Sequence, residues 1–94
     1  MENLIIRLAQ PDEVHLVNQV VDAAYSKWIP VIGVKPMPML ADYVMLIAQH
    51  YVYVVVEGRR VAAVLVIWPT EDALYIDNIA VHPDYQRQIG RAHV

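Results

Sequence analysis

Two kinds of apolar pattern alternate along the chain, and together they predict a β-α-α-β-β-β order. Leu4–Ala9 is a short, mostly apolar run closed by Gln10-Pro11, and reads as a first strand. Pro11 suits the first position of a helix, and Asp12 and Glu13 stand where the positive end of its dipole favours carboxylates. Val14, Val17, Val20, Val21, Ala24, Tyr25 and Trp28 then recur at steps of three and four. That spacing lines up one buried helical stripe. Pro30 is expected to stop the helix, because the residue before a proline is pushed out of the α region. Gly33, Pro36 and Pro38 mark a connecting loop over Val31–Met37 and just beyond. Pro38 opens a second expected helix, with Leu40, Tyr43, Val44, Ile47 and Ala48 on its apolar side.

The second half of the chain changes period. Tyr51–Glu57 and Val61–Trp68 are apolar on both faces, as in central strands covered on two sides. Glu57-Gly58-Arg59-Arg60 between them predicts a hairpin turn. Pro69-Thr70-Glu71-Asp72 is a second turn, and Ala73–Val81 a third β run that ends at His82-Pro83-Asp84. Gln86–Val94 has mixed character and could begin a helix. Helices packed on a mainly antiparallel sheet make an α+β layer architecture, a single domain over residues 1–94.

Composition sharpens this picture. Of the 94 residues, 57% are apolar or Tyr, a heavy load for a chain able to bury only roughly 60–65% of its unfolded surface. Part of that apolar surface is therefore expected to meet a partner or further elements. The net charge of −3 and pI near 5.7 argue against a nucleic-acid binder. Without cysteine there is no disulfide or thiolate metal site, and a cytoplasmic location is compatible with that usage. The start is not a basic signal region, and no apolar run approaches the 18 or so residues of a spanning helix. His15, His50, His82 and His93 show no ligand spacing, so no metal is expected.

One stretch carries chemistry. Ile76-Asp77-Asn78-Ile79-Ala80-Val81-His82-Pro83-Asp84-Tyr85-Gln86-Arg87-Gln88-Ile89-Gly90-Arg91-Ala92 resembles the acetyl-coenzyme A motif of GNAT-type N-acetyltransferases. The family pattern is a strand ending apolar-Ala-Val-x-Pro, then a Gln/Arg-x-x-Gly-x-Gly/Ala loop leading into a helix. The predicted element order is similar to the family's N-terminal half, and the resemblance covers essentially the whole chain. A loop that opens a helix offers unpaired N–H groups and a positive dipole end to a diphosphate. The resemblance implies that Arg87, Gln88, Ile89, Gly90, Arg91 and Ala92 hold that group, with Arg87 and Arg91 adding charge. It also implies that backbone groups of Ile79, Ala80 and Val81 bind the pantetheine arm. The loop is one residue shorter than the family pattern, since a glycine is expected between Gln88 and Ile89. One missing residue turns the following helical positions by about 100°. The chain ends about one turn into the helix, so the expectation is a truncated GNAT-like acyltransferase fold that lacks the family's fifth strand and later elements.

For the reaction, the resemblance implies acetyl transfer from acetyl-coenzyme A to a primary amine, with Asp77 as the candidate base. A base must remove a proton from the ammonium before nitrogen can attack the thioester. Asp77 shares a face with Tyr75, Ile79 and Val81 if no bulge intervenes. A solvent-facing or capping carboxylate is the plainer reading of it. Tyr25, Trp28, Met37, Met39 and Tyr43 could wall an acceptor pocket, or simply be packing groups. A second functional class comes from the Ala73–Val81 run, whose exposed edge could pair with a partner strand or a second copy of the chain as a non-catalytic interaction module.

Overall fold

The computed structural model describes residues 3–86. Four strands, β1 (Leu4–Leu8), β2 (Val52–Glu57), β3 (Arg60–Pro69) and β4 (Leu74–Val81), form one antiparallel sheet in the order β1-β2-β3-β4. The main helix, α1 (Val14–Tyr25), lies across β3 and β4. Its stripe of Val17, Val20, Val21 and Ala24 is buried against Val52, Val54, Val64 and Val66 of the sheet. Each such Val stabilises by roughly 1.5–3 kcal/mol relative to exposure, which makes this α1–sheet layer the core.

β1 is tied to the start of α1 by an ion pair. Arg7 donates to both carboxylate oxygens of Glu13, at 2.8 and 2.9 Å, while Glu13 Oε1 also accepts the Gln10 N–H at 2.8 Å. That arrangement pulls the Glu13 pKa down to about 2, chiefly through the bonds from Arg7. Between β2 and β3, Gly58 (φ +60°) begins a two-residue turn of the kind that matches strand twist.

Three expectations are corrected. Pro30 does not end the first helix. Instead α1 gives way at Ser26 to a 3₁₀ turn, Ser26–Trp28, and Pro30 sits second in a one-turn helix, α2 (Ile29–Ile32). An N–H at that position has no intrahelical partner, so proline costs nothing there. Trp28 consequently leaves the buried stripe and is 47% exposed. The second long helix is shorter than expected. Pro38 lies in a 3₁₀ turn, Met37–Leu40, and the helix proper, α3 (Tyr43–Ala48), starts at Asp42, whose carboxylate accepts the Met45 N–H at 3.1 Å. Only Tyr43 and Ile47 of its predicted stripe are buried, whereas Leu40 and Val44 are exposed. The helix closes in a Schellman arrangement, with His50 N–H on Ile47 O and Tyr51 N–H on Leu46 O, both 3.0 Å. His50 adopts φ +64°, a place where glycine is usual.

Third, two-sided burial is only partial: β3 is buried on both faces over Val61–Val64, whereas β2 buries one face more deeply than the other. In β2, Val52, Val54 and Val56 are buried while Tyr53 and Val55 are half-buried. The register places Ile6, Val55, Ala63 and Val81 in one row of the opposite face, and Leu8, Tyr53, Leu65 and Ile79 in the next.

Candidate functional site

Among the described residues β4 lies at an edge of the sheet, and the ladder phase decides what its outer side offers. His82 N–H bonds Ala62 O at 2.9 Å. Bonded and non-bonded pairs alternate in an antiparallel ladder, so Ala80 and Asn78 spend their backbone groups on β3. Ile79 and Val81 therefore turn theirs outward. Their side chains lie on the face away from α1, and Ala80 is buried beneath the helix. Of the three residues expected to meet a pantetheine arm, two present outward N–H groups and the third is held in the ladder.

A bulge interrupts the strand just before them. Val66 pairs with Asn78 and Ile67 with Ile76, leaving Asp77 without a partner on β3. The shared face expected for Asp77, Tyr75, Ile79 and Val81 is thus corrected, because Tyr75 pairs with Trp68, one pleat out of phase with Ile79. Asp77 is exposed at the bulge.

The next residue, Asn78, is 8% exposed and holds the site together. Tyr25, the last residue of α1, donates its hydroxyl to Asn78 Oδ1 at 2.8 Å and to Ile79 O at 3.0 Å. Asn78 Nδ2 donates to the Tyr43 hydroxyl at 3.2 Å, and that hydroxyl donates to Pro38 O at 2.6 Å. Burial raises the Tyr43 hydroxyl to about 12, helped by nearby Tyr25, Asp77 and Asp22, although the Asn78 bond opposes it. Burial also pushes the Tyr25 hydroxyl up. Sequence reasoning named Tyr25 and Tyr43 but missed Asn78. The available signal was a lone amide in an otherwise apolar strand end, where a buried polar side chain must find partners.

The structure brings Tyr25, Tyr43, Asp77 and the Ile79–Val81 backbone together. Met39 packs partly buried against the core, and Trp28 and Met37 lie exposed on the loop that runs from Tyr25 to Tyr43. Arg87, Gln88, Ile89, Gly90, Arg91 and Ala92 lie outside the described residues. The chain's departure from β4 is nevertheless anchored. Tyr85, in the 3₁₀ turn Pro83–Tyr85, is buried and donates to Glu57 Oε1 at 2.9 Å. Arg60 stacks on its ring at 5.1 Å and pairs with Asp84, which lowers the Asp84 carboxyl and raises the guanidinium. Among the described residues no group of three or more His, Asp and Glu converges on a metal position.

The profile of the acetyltransferase (GNAT) family matches residues 15–93. The chain belongs to this GNAT family. No curated protein matches it in sequence. Solved structures with the same fold include the ribosomal-protein-S18-alanine N-acetyltransferase from Escherichia coli, at TM-score 0.64 and 20% identity over 96% of this chain and 54% of that one. A GNAT-family acetyltransferase from Listeria monocytogenes gives TM-score 0.64 at 14% identity, covering 96% of this chain and 67% of the other. A GCN5-related N-acetyltransferase from Kribbella flavida gives 0.62 at 18%, covering 96% and 24%. This GNAT chain thus spans about a quarter of the Kribbella protein's length and about half of the Escherichia coli one. The α+β fold read from the sequence is the GNAT fold, and no helix among its described residues is long and apolar enough to cross a membrane.

Proposed function

We propose that this GNAT chain carries the cofactor-facing edge of an acetyl-coenzyme A dependent N-acetyltransferase acting on a primary amine. The outer edge of β4, unpaired among the described residues, carries the reading. Ile79 and Val81 are two residues apart, so their outward N–H groups repeat at roughly 6.6–6.8 Å, like donors offered to an added strand. An extended pantetheine arm with its amide groups fits such an edge. When bound, acetyl-coenzyme A supplies an acetyl group activated as a thioester.

The remaining steps belong to this chain. Ile79 and Val81 N–H groups would hold the arm along β4, next to the bulge at Asp77. Asp77 accepts the proton that the acceptor ammonium must lose before its nitrogen attacks the acetyl carbonyl. Asn78, fixed by Tyr25 and Tyr43, keeps both neighbours in register. Arg87, Gln88, Ile89, Gly90, Arg91 and Ala92 are assigned to the cofactor's diphosphate. Binding is tested by calorimetric titration with acetyl-coenzyme A, where saturable heat and a raised Tm are expected. No shift at millimolar ligand would overturn the proposal.

A second reading rests on the same edge. Leu74, Tyr75 and Ile76 are more than half exposed on β4, and another strand added there would cover them. A dimer that persists across a dilution series, measured by light scattering, supports this reading, and a clean monomer removes it.

A further inference from the structure

On the α1 face of the sheet, where the β2–β3 hairpin meets the helix, lies a cavity of about 240 Å³. Leu16 and Val20 of α1 and Val61 of β3 form its apolar wall, and Gln19, Arg59, Arg60 and His82 supply the polar groups. Val61 stands beside a bulge, since Val55 pairs with Ala63 and Val56 with Val61, leaving Ala62 as the extra residue of β3. No carboxylate lines the cavity. Arg59 is exposed and makes no ion pair among the described residues. Arg60 spends only Nη2 on Asp84, so most of its five N–H donors remain for another acceptor. His82 accepts the Asp84 N–H on Nδ1 at 3.1 Å, which places the proton of its neutral ring on Nε2 as a donor. Four donor-bearing side chains thus meet three apolar ones, in a chain whose net charge is −3.

This cavity is separate from the outer edge of β4. That edge consists of outward backbone groups of Ile79 and Val81, whereas the cavity lies on the β3 side of the strand's end. Tyr85, which anchors the departing chain, hydrogen-bonds Glu57. In β2 the buried Val52, Val54 and Val56 alternate with Tyr53, Val55 and Glu57, so that anchor sits on the opposite face of the sheet.

We propose that the cavity binds a small aliphatic carboxylate. Its anionic head meets the Arg59 and Arg60 guanidinium groups, whose planar forks suit a carboxylate, with His82 and Gln19 adding neutral donors. Its hydrocarbon body covers Leu16, Val20 and Val61. The volume falls below the roughly 300–1,000 Å³ of drug-sized ligand sites, which sets the scale at a short branched chain. A bare phosphate would satisfy the donors but leave the apolar wall without a partner, so the two-part lining favours an acid with a tail.

The probe is isovalerate, titrated into the full chain and followed by two-dimensional amide NMR. Isovaleramide, inorganic phosphate and acetyl-coenzyme A serve as comparisons. Shifts are expected at Gln19, Val61 and His82, with isovaleramide binding about tenfold or more weakly than the acid and phosphate also weaker. Arg59→Gln, at an exposed turn position, should weaken isovalerate about tenfold, leave isovaleramide unchanged and keep Tm within a few degrees. Added salt should weaken the acid alone. Equal affinity for acid and amide, an unaltered acid affinity in Arg59→Gln, or no shifts in the cavity with any probe overturns the proposal. So does phosphate binding more tightly than isovalerate, which would mark an anion site without a use for the apolar wall. Displacement of isovalerate by acetyl-coenzyme A also overturns it, by making the cavity part of the cofactor's own site.

Discussion

Replacing Tyr43 by Phe removes one oxygen from the centre of the network that holds β4 to the loop. Two hydrogen bonds go with it, the 2.6 Å bond to Pro38 O and the 3.2 Å bond from Asn78 Nδ2. Each contributes about 0.5–1.5 kcal/mol net, and the Asn78 amide left buried without an acceptor costs about 1–3 kcal/mol more. The expected loss is about 2–6 kcal/mol, a large share of the stability of so small a domain. Asn78→Ala behaves differently. Tyr25 keeps Ile79 O and Tyr43 keeps Pro38 O, so no hydroxyl is left without an acceptor. Its cost is the two lost bonds and a small void, about 2–3 kcal/mol. In the double variant the stranded amide is gone and the shared bond is no longer counted twice. The sum of the two single losses should therefore exceed the loss in the double variant by about 1.5–4.5 kcal/mol. Urea unfolding followed by circular dichroism at constant slope measures all three, and each kcal/mol moves Tm by about 4–8 °C. Additivity within about 0.5 kcal/mol would refute the network, as would a Tyr43→Phe cost below about 1 kcal/mol. The same hydroxyl adds a pH signature. Its folded pKa is raised to about 12, above the usual 10 of an unfolded chain. The stabilisation is therefore complete below pH 10 and lost as pH climbs toward 12, a slope that Tyr43→Phe should remove.

The geometry fixes four further outcomes. Val81→Pro deletes an outward N–H and should leave Tm within a few degrees while acetyl-coenzyme A affinity drops about tenfold or more, whereas Ala80→Pro breaks the β3 ladder and should unfold the domain; equal thermal losses would show that the edge is misassigned. His50→Gly relieves a left-handed residue and should raise stability by about 0.5–1 kcal/mol in urea titrations. Gly58→Ala keeps open space around its new methyl group yet should cost about 1–2 kcal/mol from φ alone, and a neutral result would contradict the turn. The depressed Glu13 carboxyl contributes stability that is present above the usual 4.5 and lost as pH falls toward 2, so Glu13→Gln should flatten the acid limb of the unfolding curve.

The strands, the α1 stripe and the strand-Pro-loop motif were legible in the sequence because each depends on neighbours a few residues away. Val17, Val20, Val21 and Ala24 needed only helical spacing to declare a buried face, and Gly58 only its place between two apolar runs. The site was less legible. Tyr25 and Tyr43 read equally well as pocket walls or packing groups, since nothing local says what a phenol hydroxyl will meet. Asn78 lies 53 residues from Tyr25 and 35 from Tyr43, and gave no sign of joining them. Pro30 misled for a related reason, because proline ends a helix only where its missing N–H would have been bonded.

What the sequence determined by itself, then, was the family, the order of elements and the apolar strand destined for an edge. Periodicity and motif spacing are written along the chain. The tertiary structure decided the phase of β4, the bulge at Asp77 and the closing of the 26–42 segment onto one amide. Each depends on which carbonyl a distant N–H or hydroxyl reaches, and a hydrogen-bond register is a relation between strands that neither strand encodes alone.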